Sequence, residues 1–474
     1  MPEISLLRNK YPEFLYKKYS YDIIGDNLEI YFDFSIEPGI LFKPSVVVKN
    51  VSRSRINKIK KEVIDNLIFH LGLIEMLSYW KCTCSPKIRI EAGSLDKNQT
   101  KWWKDLIIKG MGQFFYENKI DWRKPNFVKI ETQNRNKAFL HKEILRNRVL
   151  IPVGGGKDSP VTIEILKKSK KQIGCFSLNP TPAARQIIKI AGCKKPIIVE
   201  RKIDPKLLEL NQKGFLNGHT PFSAYLAFLS VLLAIIFDYK YIAFSNERSS
   251  NEGNLKYLGE IINHQYSKSF EFEKKFSDYC SKYLTQNYST PGVEYFSFLR
   301  PLYEIQISRI FSKYPKYFSA FLSCNEAFKT YSGRKKPLSK WCGNCPKCLF
   351  VFASLYPFLN RIKIRKIFGE NLFRKVSLMP LMEQLIGEKK FKPFECVGTR
   401  KESLVAFYLG WKKDKRRSNM PFLLKHFEKK ILPKHKNLEA ESMKILNAWD
   451  PENNLPKSFE RVLKKSISGF RSRA

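Results

Sequence analysis

The stretch VLIPVGGGKDSP, residues 149–160, is where the fold can be read most directly. An apolar run ends in three consecutive glycines, Gly154, Gly155 and Gly156, and then Lys157, Asp158, Ser159 and Pro160 lead into the amphipathic run VTIEILKK. This order predicts a strand, a tight loop and a helix. The glycines remove every Cβ from the loop, so backbone N–H groups can converge on an anion, and the N-terminus of the following helix adds its dipole. Ser159 is predicted to cap that helix, with Pro160 in its first turn. The loop therefore reads as a seat for phosphate. It has neither the Gly-x4-Gly-Lys-Ser/Thr spacing of a Walker loop nor the Gly-x-Gly-x-x-Gly spacing of a dinucleotide loop.

Around this loop, from residue 146 to about 300, strand and helix alternate. Strands are predicted at 149–153, 174–178, 196–199 and 241–245, and helices at 161–170, 181–191 and 223–237. Such alternation gives right-handed crossovers and a mostly parallel sheet covered on both faces, with ligands at the C-terminal ends of the strands. Residues 1–145 read as a smaller α+β domain, with LEIYFDF (28–34) and SVVVKNV (45–51) as strands and a helical stretch over 64–80. Cys82 and Cys84 suit neither a zinc knuckle nor a redox pair and are read as packing residues. Residues 301–394 become helical and cysteine-rich, and residues 395–474 form a last helical segment with a basic tail. The expected architecture is α/β: a parallel-sheet core, an N-terminal α+β domain and a helical C-terminal region.

With 43% hydrophobic and 14% aromatic residues among 474, the chain carries far more apolar side chains than a disordered one. Its 85 Lys and Arg against 44 Asp and Glu give a formal net charge of +41, which attracts phosphate-bearing partners of any kind. The excess is spread along the chain, so compositional bias accounts for it as readily as a nucleic-acid role. The N-terminal MPEISLLRNKYPEF lacks the pattern of a secretory leader. The longest apolar run, AYLAFLSVLLAIIF (224–237), is shorter than the roughly 20 residues a bilayer requires, and reads as a buried helix rather than a membrane insertion. Ten cysteines without an export signal point to mostly reduced thiols and a cytoplasmic protein.

Two polar segments follow the strand ending at 245: SNERSSNEGN (245–254) and NHQYSKSFEFE (263–273). Asn246, Glu247, Asn251, Glu252, His264 and Lys268 crowd a strand's C-terminal end, where an open sheet places its ligand; a solvated loop is the alternative. Cys342, Cys345 and Cys348 form C-x2-C-x2-C, and Cys324 lies 18 positions earlier. Four thiolates can close a tetrahedral zinc site, with metal-free thiols or sulfur-transfer chemistry as the other readings. Cys396, in ECVGT, is either an acid–base thiol, with Glu395 and His264 as rivals, or a small buried apolar residue.

The loop resembles the Ser-Gly-Gly-x-Asp-Ser loop of the PP-loop ATP pyrophosphatases, which split ATP between its α- and β-phosphates. Gly154 replaces the first serine, while Gly155, Gly156, Asp158 and Ser159 fall in place. Together with SLNP (177–180), the two polar segments, WCGNCPKCLFVF (341–352) and PFECVGT (393–399), it resembles the UDP-N-acetylmuramoyl-L-alanyl-L-glutamate epimerase (MurL) family, a likeness that extends to LSYWKCTC and GMGQFFYENKIDW in the N-terminal domain. The resemblance implies a PP-loop, adenine nucleotide α-hydrolase-like core and an enzyme of peptidoglycan-precursor synthesis that inverts the terminal glutamate of UDP-MurNAc-L-Ala-L-Glu with ATP and Mg²⁺, releasing AMP and pyrophosphate.

In that scheme Gly154 to Ser159, with Lys157, hold phosphates; Asp158 places Mg²⁺; and Asn179 lines the adenosine pocket. Asn246, Arg248, Asn251, Glu252 and Lys268 grip the substrate, and Glu247, His264 and Cys396 are the acid–base candidates. Lys157, Arg248 and Lys268 would answer the diphosphate and carboxylates. A tRNA-modifying, thiolation-type enzyme is the alternative, although no dedicated tRNA-binding motif is present and nucleic acid is not the expected partner. A module that senses ATP without chemistry is the third reading.

Overall fold

The computed structural model describes residues 4–133, 139–286, 292–327, 340–389 and 391–468. The strands are β1 (Glu13–Ile24), β2 (Asn27–Glu37), β3 (Ile40–Phe42), β4 (Ser45–Lys49), β5 (Lys87–Ile90), β6 (Lys129–Thr132), β7 (Arg148–Pro152), β8 (Gln172–Leu178), β9 (Ile197–Lys202), β10 (Tyr241–Phe244), β11 (Leu255–Tyr257), β12 (Glu260–Ile262) and β13 (Glu294–Ser297). All but β11 and β12, which pair with each other, join one sheet in the order β13-β10-β7-β8-β9-β4-β2-β1-β5-β6, with β3 on β2.

The run β9-β8-β7-β10-β13 is parallel throughout and follows the doubly wound order, so the topology reverses between β7 and β10. In such a sheet ligands bind beside the C-terminal ends of the strands flanking that reversal. The glycine loop leaves β7 there, and the segment 245–254 leaves β10. The expected α/β class and parallel core are therefore the observed ones, with strand ends displaced by at most three residues.

A second junction was not legible in the sequence. β4 pairs antiparallel with β9, Val46 opposite Arg201 and Val48 opposite Val199, which makes the N-terminal strands an extension of the parallel sheet. The β-branched run of β4 suits a position packed on a core face; Val46 and Val48 are fully buried. Behind the junction, Arg201 forms a two-pronged pair with Glu75, Nε to Oε2 at 2.7 Å and Nη2 to Oε1 at 2.8 Å, and Nη2 also donates to Ser78 Oγ at 2.8 Å. Glu75 ends the helix Lys61–Glu75 and Ser78 lies in the segment LSYWKCTC, so that segment is part of the joint between the two halves of the sheet.

One face of the sheet is covered by the helix Phe222–Phe237, packed on the helix Lys61–Glu75. The apolar run 224–237 is thus a buried helix, and among the described residues no helix is long and apolar enough to cross a membrane. The other face carries Asp158–Lys167, Glu304–Phe311, Pro346–Leu355 and Arg400–Asp414, which share a second core.

One local expectation needs correction. The helix after the glycine loop begins at Asp158, because Lys157 already has helical dihedrals and occupies the cap position without a side-chain capping bond. Ser159 lies inside the first turn, and its buried Oγ has no hydrogen-bond partner. Among the cysteines, Cys175 and Cys193 are paired as a disulfide and the other eight are free. Cys82 and Cys84 are fully buried in the N-terminal core, as packing residues are.

Candidate active site

Gly155 has φ +101°, a conformation that disfavours any side chain, and a Cβ there would lie 3.1 Å from Thr181 Oγ1 and 3.2 Å from the Ala184 nitrogen. The loop thus lies against the N-terminus of the helix Pro182–Ile190, which Thr181 caps through a bond from Ala184 N. On its other side the Leu322 N–H donates to the Gly155 carbonyl at 2.9 Å. Gly154 faces open space.

Beside the loop, Asp158, Glu247 and Glu304 bring one carboxylate oxygen each to within 4.8 Å of one another. Glu304 was not singled out in the sequence; it opens the helix Glu304–Phe311 and is almost fully buried. Lys157 bridges Asp158 and Glu304, and Lys347 Nζ lies 3.7 Å from the other Glu304 oxygen. Burial opposes ionisation of Glu304, but Lys157 and Lys347 outweigh it and hold its carboxyl below the usual range. Glu247 is pushed up to about 7 by burial and by the neighbouring Glu304 and Asp158, against the pull of Lys268. Three close carboxylates, one of them ready to carry a proton at neutral pH, have the chemistry of a site for a divalent cation, which would replace that proton.

The two polar segments meet at this place and are stapled by Arg300. That guanidinium is fully buried and donates to the Glu247 carbonyl at 2.6 Å, to Ser250 Oγ at 2.9 Å, to the Lys268 carbonyl and to Glu273. Glu402 binds the same region from the C-terminal side, accepting from Ser249 Oγ at 2.6 Å and from Ile305 N at 3.2 Å. Asn246 donates to Ser297 Oγ at 3.0 Å on β13.

Lys268 Nζ lies 3.2 Å from Cys396 Sγ, and His264 Nε2 lies 3.9 Å from the same sulfur. His264 Nδ1 meets Asn254 Oδ1 at 2.9 Å. Burial, then Lys268, Lys392 and Lys347, push His264 down to about 3, so its ring stays neutral. For Cys396, burial raises the thiol, but Lys268 and Lys347 outweigh it and hold it below its ordinary value.

Other predicted residues have structural partners. Asn251 Oδ1 accepts from Phe270 N at 2.8 Å, ahead of the helix Phe270–Tyr283. Glu252 takes Lys392 Nζ at 2.9 Å and the Arg400 N–H at 3.1 Å. Arg248 pairs with Asp450 at 3.0 Å and lies 4.7 Å over the Tyr303 ring. Asn179, in the left-handed region at φ +44°, ties its side-chain amide to both the N–H and the carbonyl of Arg201.

The four cysteines also converge: Cys324, Cys342, Cys345 and Cys348 place their sulfurs within 4.8 Å of one another. Backbone N–H groups of Cys342, Asn344 and Cys348 point at the sulfurs of Cys324, Cys342 and Cys345 at 3.4–3.5 Å, which is how thiolates are held for a metal. Lys347 lies between two of these cysteines, which couples the cluster to the carboxylates.

Residues 6–298 match the model of the MurL N-terminal domain, and residues 320–442 match that of the MurL C-terminal domain. The chain belongs to the MurL family. A UDP-N-acetyl-alpha-D-muramoyl-L-alanyl-L-glutamate epimerase of Xanthomonas oryzae pv. oryzae is 32% identical over 402 residues, covering 83% of this chain and 84% of the relative. MurL relatives bearing the same name in Micromonospora sp. and Salinispora tropica are each 32% identical, covering 72% of this chain and 73% of their own length. The two MurL domain models take in the glycine loop, both polar segments and the cysteine cluster.

Proposed function

We propose that the chain inverts the α-carbon of the terminal L-glutamyl residue of UDP-MurNAc-L-Ala-L-Glu, consuming ATP and passing through an acyl-adenylate, with AMP and pyrophosphate released. The observation that carries this is the meeting of the glycine loop and the Asp158, Glu247 and Glu304 carboxylates at the sheet's reversal point, in a family whose relatives are named as this epimerase. The chemistry explains the nucleotide. Removing the α-proton beside a carboxylate would create a dianion, whereas the acyl group of an adenylate is neutral and can delocalise the carbanion.

The loop fits a phosphate chain: Gly154 is open, Gly155 has no room for a side chain, and the Ser159 hydroxyl is buried beside them without a partner. Gly154 to Ser159 would hold the phosphates, and Asp158, Glu247 and Glu304 would hold Mg²⁺, which offsets charge as pyrophosphate departs. Lys157 and Lys347 keep Glu304 ionised in the meantime. The four cysteines form a closed structural zinc site that fixes the helix Pro346–Leu355, and with it Lys347, against the carboxylates.

The test is incubation of the purified chain with ATP, Mg²⁺ and UDP-MurNAc-L-Ala-L-Glu, followed by chiral analysis of the released glutamate and assay of AMP. D-glutamate formed together with AMP is expected. Retained L-configuration without AMP would sink the proposal, and AMP formed only with tRNA would replace it with the tRNA-modifying reading.

A further inference from the structure

The geometry points to Cys396 as the group that takes the glutamyl α-proton, with Lys268 and His264 serving its sulfur in its two protonation states; this deepens, and rests on, the epimerase reading above.

Asn254 fixes which nitrogen of the His264 ring carries the proton. Its Nδ2 donates to the Pro393 carbonyl at 2.8 Å, and a carbonyl can only accept, so the orientation of the amide is settled. Its Oδ1 is then the acceptor that faces His264, taking the backbone N–H at 3.1 Å and ring Nδ1 at 2.9 Å. Nδ1 must carry the ring proton, which leaves Nε2 with a lone pair, and it is Nε2 that faces the Cys396 sulfur at 3.9 Å.

On the other side of that sulfur, the Lys268 ammonium stands at 3.2 Å and supplies only donors. A thiolate is therefore met by a cation and a thiol by an acceptor, so neither form of the sulfur is left without a partner. Such an arrangement serves a group that gains and loses a proton, whereas a merely buried cysteine needs neither neighbour. The main chain is held as well. Lys347 Nζ donates to the Cys396 carbonyl, and the adjacent Glu395 carboxylate accepts the Lys347 N–H at 2.8 Å. The sulfur is thereby tied to the residues that surround the three carboxylates.

Sulfur and Nε2 are too close together to flank a carbon, so they act in series on one face. The α C–H bond breaks, the S–H bond forms, and the electron pair moves onto the acyl oxygen as an enolate. Water on the opposite face returns a proton to carbon, and the hydroxide so formed is neutralised by the thiol proton, which restores the thiolate. No oxidant or reductant is required. Cys396 is the catalytic residue; Lys268, His264 and Asn254 are positioning residues.

The test separates adenylation from proton transfer. The wild-type chain, Cys396→Ala and Cys396→Ser are compared in D₂O with ATP, Mg²⁺ and UDP-MurNAc-L-Ala-L-Glu, following substrate-dependent ATP–pyrophosphate exchange and, separately, α-deuterium and D-glutamate. Both variants should keep the exchange to within about threefold and lose deuterium incorporation and inversion by about a thousandfold, the scale of a removed general base. Inversion by Cys396→Ala within about tenfold of wild type would overturn the inference, as would a folded Cys396→Ser that loses both activities together. Lys268→Met should move the acid limb of inversion to higher pH, with Lys268→Arg restoring it; an unmoved limb counts against the assignment. The groups facing the sulfur in that profile are Lys268, Lys347, His264 and Glu304. A wild-type chain with no pyrophosphate exchange would instead defeat the parent reading.

Discussion

Replacing Arg201 by Met tests the joint between the two halves of the sheet. In the native chain Glu75 is fully buried, and its carboxylate is answered by two guanidinium bonds of 2.7 and 2.8 Å. The guanidinium is only about one-tenth exposed, also binds Ser78, and lies 4.7 Å over the Tyr225 ring. The substitution keeps most of the side-chain volume but strands a buried negative charge, a loss of about 3–5 kcal/mol. For a chain of 474 residues, whose unfolding entropy is about 1 kcal/mol/K, that corresponds to a fall of about 3–5 °C in the main thermal transition, read by circular dichroism or calorimetry.

The double variant Arg201→Met, Glu75→Met removes both charges and should regain most of the loss, because an apolar pair of similar size is often no less stable than a buried ion pair. A single variant that melts within about 2 °C of wild type, or a double variant no better than the single, would refute the reasoning.

Other outcomes follow from the same structure. Gly155→Ala forces a side chain into a left-handed position at a cost of about 1–2 kcal/mol and into contact with Thr181 and Ala184, so ATP affinity by calorimetry should fall at least about tenfold; unchanged affinity would count against the loop as the phosphate seat. Cys324→Ser should take the zinc content of the purified chain from about one per chain to nearly none and lower the melting temperature, and a wild-type chain free of metal would dismiss the zinc site. His70 is pushed down to about 4 by burial, while its Nδ1 is held by the Asn66 carbonyl and its Nε2 by Tyr279. Folded His70 stays neutral where the unfolded chain takes up a proton, so its share of stability is intact above about pH 6.5 and falls by about 2 kcal/mol at pH 5; His70→Gln should flatten that loss in urea titrations at the two pH values.

Legibility in the sequence followed how local the information was. The strand, the glycine loop and the helix after it are contiguous, and their order is written in residue type. Ser159 was misplaced as a cap because Lys157, with its ammonium drawn between Asp158 and Glu304, takes the cap position two residues earlier. Glu304 and Lys347 left no local mark: one opens a helix of mixed polar and apolar residues and the other reads as filler between two cysteines, and only the packing of the second core brings them to the loop. Arg248, Asn251 and Glu252 were singled out for their polarity, and tertiary structure gives each a partner that the sequence does not name: Asp450, the Phe270 N–H and Lys392. The β4–β9 pairing was equally hidden, since nothing in SVVVK names its partner 150 residues away.

That pairing has a consequence for anyone who would cut the chain into modules. Strands β4 and β9 each fulfil the other's backbone hydrogen bonds, and separating them would bare two open edges flanked by apolar side chains. Either fragment, expressed alone, would present a template for self-association in place of a finished rim. The glycine-loop half of the sheet and the N-terminal lobe are thus obliged to fold as companions, and the distance between them is set by the spacing of neighbouring strands.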